Sequence, residues 1–276
     1  MTNRGVELAL SSLNIDRRIF RWTTDFNFTF NANKLVEMYI EQPQSPYILA
    51  TQNYWAGYPY GTVFAYNWAG LDPKDGMPRV YDSKGEAVRS ITAIDSTDAV
   101  KYMGTTVPPF YGSLSNDFQI GDFSIGIMFI YNLGHVMRND VNDKFSYRLC
   151  ENLHHDFSLR WKAPGDEAKT NVPAYYSLKN SEINETDVTY LYRYADINVL
   201  PASYIKLREV SLGYSLPAQA CKAIHAENIS LRLIASNLFT IGFNGQGIDP
   251  ESFYLSNGGR SDKYNPYISA SVNIEF

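Results

Sequence analysis

The chain has 276 residues, a formal net charge of -5, 45 % hydrophobic residues and only 19 % charged ones. That length supports one large or two modest domains with a sizeable core, and the acidic balance argues against a nucleic-acid partner, which would want a basic stripe. No stretch nears the roughly 18 consecutive apolar residues of a membrane helix. Strand-built membrane proteins stay open, because alternating lipid-facing and lumen-facing residues average to ordinary hydropathy.

The N-terminal "MTNRGVELALSS" has no apolar h-region of a signal peptide and already alternates like a strand. Either the protein stays inside, or Met1 is not the natural beginning of the polypeptide. Residues 4 to 13 place Val6, Leu8 and Leu10 in one phase; residues 18 to 30 do the same with Phe20, Trp22, Phe26, Phe28 and Phe30. Joined by "NIDRR", they read as a hairpin. A second hairpin turns at "GD" between Leu114, Phe118 and Ile120 and the run Phe123 to Leu133. The third spans residues 203 to 216 and 228 to 240, joined by "PAQACKAIHAEN", which has room for one or two helical turns. In its first strand Ile205 and Leu207 fall out of phase with Val210, Leu212 and Tyr214, the sign of a bulge or of a strand leaving the membrane.

The last segment, "YISASVNIEF", alternates Ile268, Ala270, Val272, Ile274 and Phe276 with polar residues. Termini usually fray unless tied down, so this strand is expected to be paired on both edges. Between the hairpins lie long connections, residues 31 to 110, 135 to 202 and 241 to 265, rich in Gly, Pro, Asn, Asp, Tyr and Trp. Loops of that length are normally functional. Short and long connections alternate strictly, as in outer-membrane barrels with short periplasmic turns and long extracellular loops. Segments of ten or more residues suit a tilted membrane strand of about 9 to 11 better than a soluble strand of about 5 to 6. Aromatics near strand ends, Phe20, Trp22, Phe30, Tyr131 and Tyr214, fit interfacial girdles. The competing soluble fold is a β-sandwich with ornate loops, such as a glycan-binding module. A small autonomous outer-membrane barrel acting as a pore or adhesin is the other rival.

About seven or eight long strands can be counted, whereas small closed barrels start at about 8. An open edge in lipid leaves backbone groups unpaired at several kcal/mol each. With the last strand running toward the periplasm, Met1 falls at the extracellular end, although a barrel chain begins inside. The expectation is therefore all-β: the C-terminal part of a large antiparallel transmembrane β-barrel whose earlier strands precede this sequence.

The segments "RWTTDFNFTFNANKL", "GYPYGTVFAYNWAGLDPKDGMPRVYDSKGEAV", "PPFYGSLSNDFQIGDFSIGIMFIYNLG", "RWKAPGDEAKTNVP", "YIKLREVSLGYSLP" and "LRLIASNLFTI...GIDPES" follow one another in an order that resembles the C-terminal portion of the SusC/RagA family of TonB-linked outer-membrane transporters of Bacteroidetes. The similarity covers essentially all of residues 1 to 276. It implies a 22-stranded barrel in the outer membrane, plugged by an N-terminal domain and importing oligosaccharides or peptides. A SusD/RagB-like surface lipoprotein closes over such a barrel and the TonB complex energises it. The family's plug and TonB-contacting segment match nothing here, so the chain alone is expected to be inert in transport. Phe276 in its alternating context resembles the terminal signal read by the barrel assembly machinery.

No Ser, His and acid set lies in a catalytic context such as a nucleophile elbow, so no enzyme activity and no cofactor are expected. "LDPKDG", with Asp72, Asp75 and Gly76, lacks the alternate carboxylates and distal Glu of a calcium loop and reads as a turn. "LHHDF" sets His154, His155 and Asp156 side by side. On an extended segment neighbours point oppositely, so no metal site is expected. Cys150 and Cys221 give no disulfide framework. The loop aromatics Trp55, Tyr58, Tyr60, Trp68, Trp161, Tyr175 and Tyr176 accompany amides and carboxylates at the expected mouth, where ring faces and polar edges suit a sugar or peptide. Their alternative role is packing the loops on each other or on the lid protein. The strand charges Glu7, Arg21, Asp25, Asp117, Arg232 and Glu275 mostly share the polar phase and are expected to face the lumen.

Overall fold

The computed structural model describes residues 1–39, 44–145, 154–176 and 183–276. Seven long strands dominate it: β1 (Thr2–Asp16), β2 (Phe20–Lys34), β3 (Phe110–Ile120), β4 (Phe123–Leu133), β5 (Tyr204–Ser215), β6 (Asn228–Gly242) and β7 (Tyr267–Glu275). They form one antiparallel sheet in chain order. The three short connections therefore lie at one end and the three long ones at the other. Gly121, at φ 57°, takes the left-handed conformation in the two-residue turn from β3 to β4. The expected helical turn between β5 and β6 is a short helix, Ala218–Ala223, whose Cys221 is buried with a free thiol. Cys150 lies outside the described residues.

Register carries the apolar phase across the whole sheet. Leu10, Phe26, Leu114, Phe129, Leu207 and Phe239 lie opposite one another in succession across six strands. A second row runs Phe118, Ile125, Leu212, Leu233 and Ala270. The register shift between Leu207 and Glu209 resolves the phase break: Arg208 is the extra residue against β4, whereas on β6 two residues, Asn237 and Leu238, lie opposite it. Ile205 and Leu207 thereby join Val210 and Leu212 on one face. Aromatic pairs stand toward both ends of this face, Phe123 with Tyr214 at 4.6 Å and Phe30 with Phe110 at 5.1 Å between centroids.

Where polar side chains interrupt the face they satisfy one another. Asn14 Nδ2 donates to Thr24 Oγ1 (2.7 Å), Thr24 Oγ1 to Asn116 Oδ1 (2.7 Å), and Trp22 Nε1 to the same Asn116 oxygen (3.0 Å). Such closure lets polar groups sit in a medium that offers no hydrogen bonds. Gly112 serves close packing: a Cβ there would strike the Asn27 carbonyl and the Tyr131 ring. Tyr131 crosses above it, and its hydroxyl donates to Asn27 O (2.8 Å).

The sheet is open. Among the described residues β7 pairs only with β6, and β1 only with β2, so the expected pairing of the last strand on both edges is not met among them. Those two strands lie at opposite ends of the sheet. Both carry exposed side chains along almost their entire length.

The long connections fold together into a lobe beyond one end of the sheet. Its helices are α1 (Pro46–Thr51) and α2 (Glu185–Arg193). The Asn184 side chain caps α2 by accepting from Thr186 N (3.0 Å), and Glu185 and Asp187 in the first turn with Arg193 in the last complement its dipole. Its buried stripe, Val188, Leu191 and Tyr192, joins two cores: Leu191 packs with Phe64, Tyr66 and Val80, while Val188 and Tyr192 pack with Phe145, Trp161 and Met77. Buried Arg138 ties the first long connection to the second by donating to Ala50 O (2.8 Å) and Phe64 O (2.6 Å). Its guanidinium lies 4.5 Å from the Tyr194 ring centroid. Burial pulls its pKa down to about 10, which leaves it charged at neutral pH.

Candidate functional site

The candidate site is the lobe and the strand ends beneath it. At its base β5 supplies Tyr204, Lys206 and the bulge residue Arg208. Lys206 is fully buried, and its ammonium pairs with Glu251 and, at 3.4 Å, with Asp249. Tyr204 OH and Arg208 Nη2 donate to the other Glu251 oxygen at 2.8 and 2.7 Å, and Thr240 Oγ1 donates to Asp249 (3.0 Å). The turn Pro250–Ser252 of the last long connection is thus clamped onto the strand ends. Burial pushes the Glu251 carboxyl up, but hydrogen bonds from Lys206 and Tyr204 outweigh it and hold the carboxyl below its ordinary value. None of these residues stood out as a site in the sequence; the phase break at Ile205 and Leu207 was the available signal, since the bulge it marks is what turns Arg208 toward Glu251.

The seven aromatic candidates separate by burial. Trp161 and Tyr176 lie inside the second core, and the Trp161 indole lies against Gly76 while its Nε1 donates to Glu167 (3.1 Å). Trp55 and Tyr58 pack against the first core, Tyr58 meeting Phe64 edge-on at 4.8 Å. Trp68 touches both cores and donates through Nε1 to Asn171 (3.3 Å). Tyr175 lies between Phe145 and Phe157 with its hydroxyl accepting from Asn142 (2.6 Å). Tyr60 differs from the others. It is 54 % exposed, on backbone fixed by Tyr60 N to Asn33 Oδ1 (2.6 Å) at the end of β2. Other exposed aromatics of the lobe, Tyr254 and Tyr264, were not singled out from sequence.

His154, His155 and Asp156 do not lie on an extended segment. His154 begins a 3-10 turn, His155–Leu159, which gathers the two rings to 4.2 Å between centroids. The extended geometry assumed from the sequence is corrected here: after His154 the backbone leaves the extended conformation for the turn, so successive side chains no longer point to opposite sides. Asp72 and Asp75 do form a turn, closed by Gly76 at φ 71°, and both carboxylates pair with Arg89 at 3.6 and 2.6 Å.

On the opposite face of the sheet from the apolar rows, Arg21, Asp117 and Arg232 line a shallow groove with Ser124, Ser211 and Ser230. These strand charges keep the phase expected of them.

No family model matches the chain. It is 24 % identical over 287 residues to TonB-dependent receptor P3 of Formosa agariphila, covering 96 % of this chain and 26 % of that receptor. It is 26 % identical over 293 residues to TonB-dependent receptor P39 of the same organism, covering 90 % and 27 %. Among solved structures, a chain of the RagAB peptide transporter superposes with a TM-score of 0.70 at 20 % identity, over 99 % of this chain and 29 % of that one. The open-open state of the RagAB peptide importer gives 0.67, 20 %, 99 % and 28 %. The chain spans about a quarter of the length of the curated relatives it matches. The resemblance to SusC/RagA-like TonB-dependent receptors read from the motif order stands, and the fold is that of part of such a barrel.

Proposed function

We propose that residues 1–276 are the C-terminal barrel portion of a TonB-dependent outer-membrane transporter that imports oligosaccharides or peptides. The observation that carries this is the pairing of a largely exposed apolar face with two sheet edges unpaired among the described residues, in a chain similar along nearly all its length to such receptors. A soluble sandwich would cover that face, since soluble proteins rarely expose apolar patches beyond a few hundred Å². In this reading the apolar face meets lipid, the polar face lines the lumen, and β1 and β7 pair with further strands of the receptor. The lobe stands at the extracellular mouth, where a SusD/RagB-like lipoprotein closes over it. Exposed Tyr60 is the foremost ligand contact among the seven aromatics; the packed ones shape the mouth. TonB acts through a plug carried elsewhere in the receptor, and the assembly machinery reads Phe276.

Fractionation of native cells tests this. The polypeptide carrying this sequence is expected in the outer membrane, extracted only by detergent and migrating faster on gels before heating than after. A monodisperse, water-soluble monomer would overturn the proposal.

A further inference from the structure

The turn at residues 154–156 brings a mixed nitrogen and oxygen donor set to one place in the lobe. One ring nitrogen from each of His154 and His155 and a carboxylate oxygen of Asp156 all lie within 4.8 Å of one another. His155 Nε2 is 2.8 Å from Asp156 Oδ1, and His154 Nδ1 is 3.2 Å from Asp156 Oδ2. The same Oδ2 accepts from Asn142 N (3.3 Å), which fixes the carboxylate, and Asp156 N approaches His154 Nδ1 at 3.3 Å. That last contact marks Nδ1 as the lone-pair side of the His154 ring and leaves the proton on Nε2. His154 Nε2 is buried and makes no hydrogen bond, with Asp140 Oδ2 3.4 Å away. Asp140 is in turn held by Arg260 Nε at 2.6 Å.

Metal-ligating histidines turn one ring nitrogen toward the ion and give the other N–H to a carboxylate that fixes the tautomer; Asp140, close to Nε2 but not aligned for a hydrogen bond, is the group that would take that place. We propose that His154 Nδ1, His155 Nε2 and Asp156 bind a divalent cation of the zinc class, with Asp140 orienting His154 from behind. Two imidazoles and one carboxylate match the three protein ligands of an open, four-coordinate zinc site. Calcium and magnesium would demand six or more oxygens, which this donor set does not supply. Ligand atoms of a tetrahedral zinc site stand about 3.3 Å apart, so closing on the ion requires a rotation of His155 and release of the Asp156 N–H from His154 Nδ1, whose lone pair then turns to the ion. That side chain is 66 % exposed and free to turn. A bound cation would pin residues 154–159 to the segment around Asp140 and Asn142, stiffening one wall of the lobe.

The test is titration of Zn²⁺, and of Co²⁺ as a spectroscopic probe, into the detergent-solubilised polypeptide after chelator treatment. One equivalent is expected, with Co²⁺ giving the intense visible absorption of a tetrahedral complex. H155A, on an exposed side chain, should fold normally and bind at least about 10-fold more weakly. D140N should lose about 10- to 100-fold in affinity while keeping the Co²⁺ spectrum. H225A, at the opposite end of the sheet, should bind as the parent does. Absence of stoichiometric binding, or unchanged affinity in H155A, would overturn the site.

Discussion

The sheet and the lobe solve opposite problems with the same residue types. In the lobe, Phe64 is 3 % exposed and Leu191 fully buried; on the sheet, Leu233 is 44 % exposed and Val272 62 %. The lobe is built as a protein in water is built, with apolar side chains inside and a capped helix joining two cores. The sheet is built the other way, its apolar rows turned outward and its polar groups cross-bonded. Apolar area exposed at this scale would cost about 25 cal/mol per Å² in water, so the two regions are designed for two solvents.

Substitutions can break each half of that contrast separately. The largest effect is expected from Phe64→Ala, which opens a cavity beneath Tyr58 and Tyr102 and should cost the lobe about 3–5 kcal/mol. Limited proteolysis should then cut the long connections readily while the sheet stays inserted. Leu233→Arg should do the reverse. A charge on the lipid face costs about 2–4 kcal/mol near the midplane, so folding titrations in bilayers should show weakened insertion. Thr29→Arg, on the polar face opposite Glu7, should be neutral in the same assay.

Acid should loosen the lobe before it touches the sheet. Burial pulls His135 down to about 4 from its ordinary value of about 6.5. Between those values the unfolded chain binds the extra proton, so stability rises with pH across that window and is complete above it. The loss on acidification amounts to at most about 3 kcal/mol, read as falling proteolytic protection from pH 6.5 to 4, and His135→Gln should flatten it. Glu251 has the same sign at lower pH. Its contribution is present above the ordinary Glu value of about 4.3 and is lost as pH falls through its depressed value in the fold. The smallest effect on stability belongs to Phe276→Ser, at a residue 80 % exposed and expected to change folding by under about 0.5 kcal/mol. Its surface abundance should nevertheless drop, and normal abundance would remove the assembly role.

The same contrast explains what could be read from the residues alone. Strand phase is set by local alternation, so all seven strands, the helical turn after Pro217 and the bulge beside Leu207 were legible, with ends off by a few residues. Asn14, Ile15 and Asp16, read as a polar link, continue β1 because Asn14 finds Thr24 and Asp16 pairs with Arg21. The lobe was legible only as long loops. Val188, Leu191 and Tyr192 of α2 do carry the helical i, i+3, i+4 spacing behind the cap Asn184, but over nine residues that signal is too short to stand out from the surrounding loop. Aromatic content likewise signals both packing and binding; only burial separated Trp161 and Tyr176 from Tyr60. The turn at His154 is closed by local bonds, Phe157 N donating to His154 O and Asp156 N to the His154 ring, and histidine is not among the usual capping residues that announce one.

The central claim is that one face of the sheet meets lipid, and spin labels along β7 test it most directly. Single cysteines would replace residues 268 to 274 in turn, with the native Cys150 and Cys221 removed and the polypeptide reconstituted in bilayers. Collision with oxygen, which concentrates in lipid, should alternate with a period of two: high at Ile268, Ala270, Val272 and Ile274, low at Ser269, Ser271 and Asn273. Uniform values along the strand, or strong collision with a water-soluble relaxant at the first four positions, would contradict it.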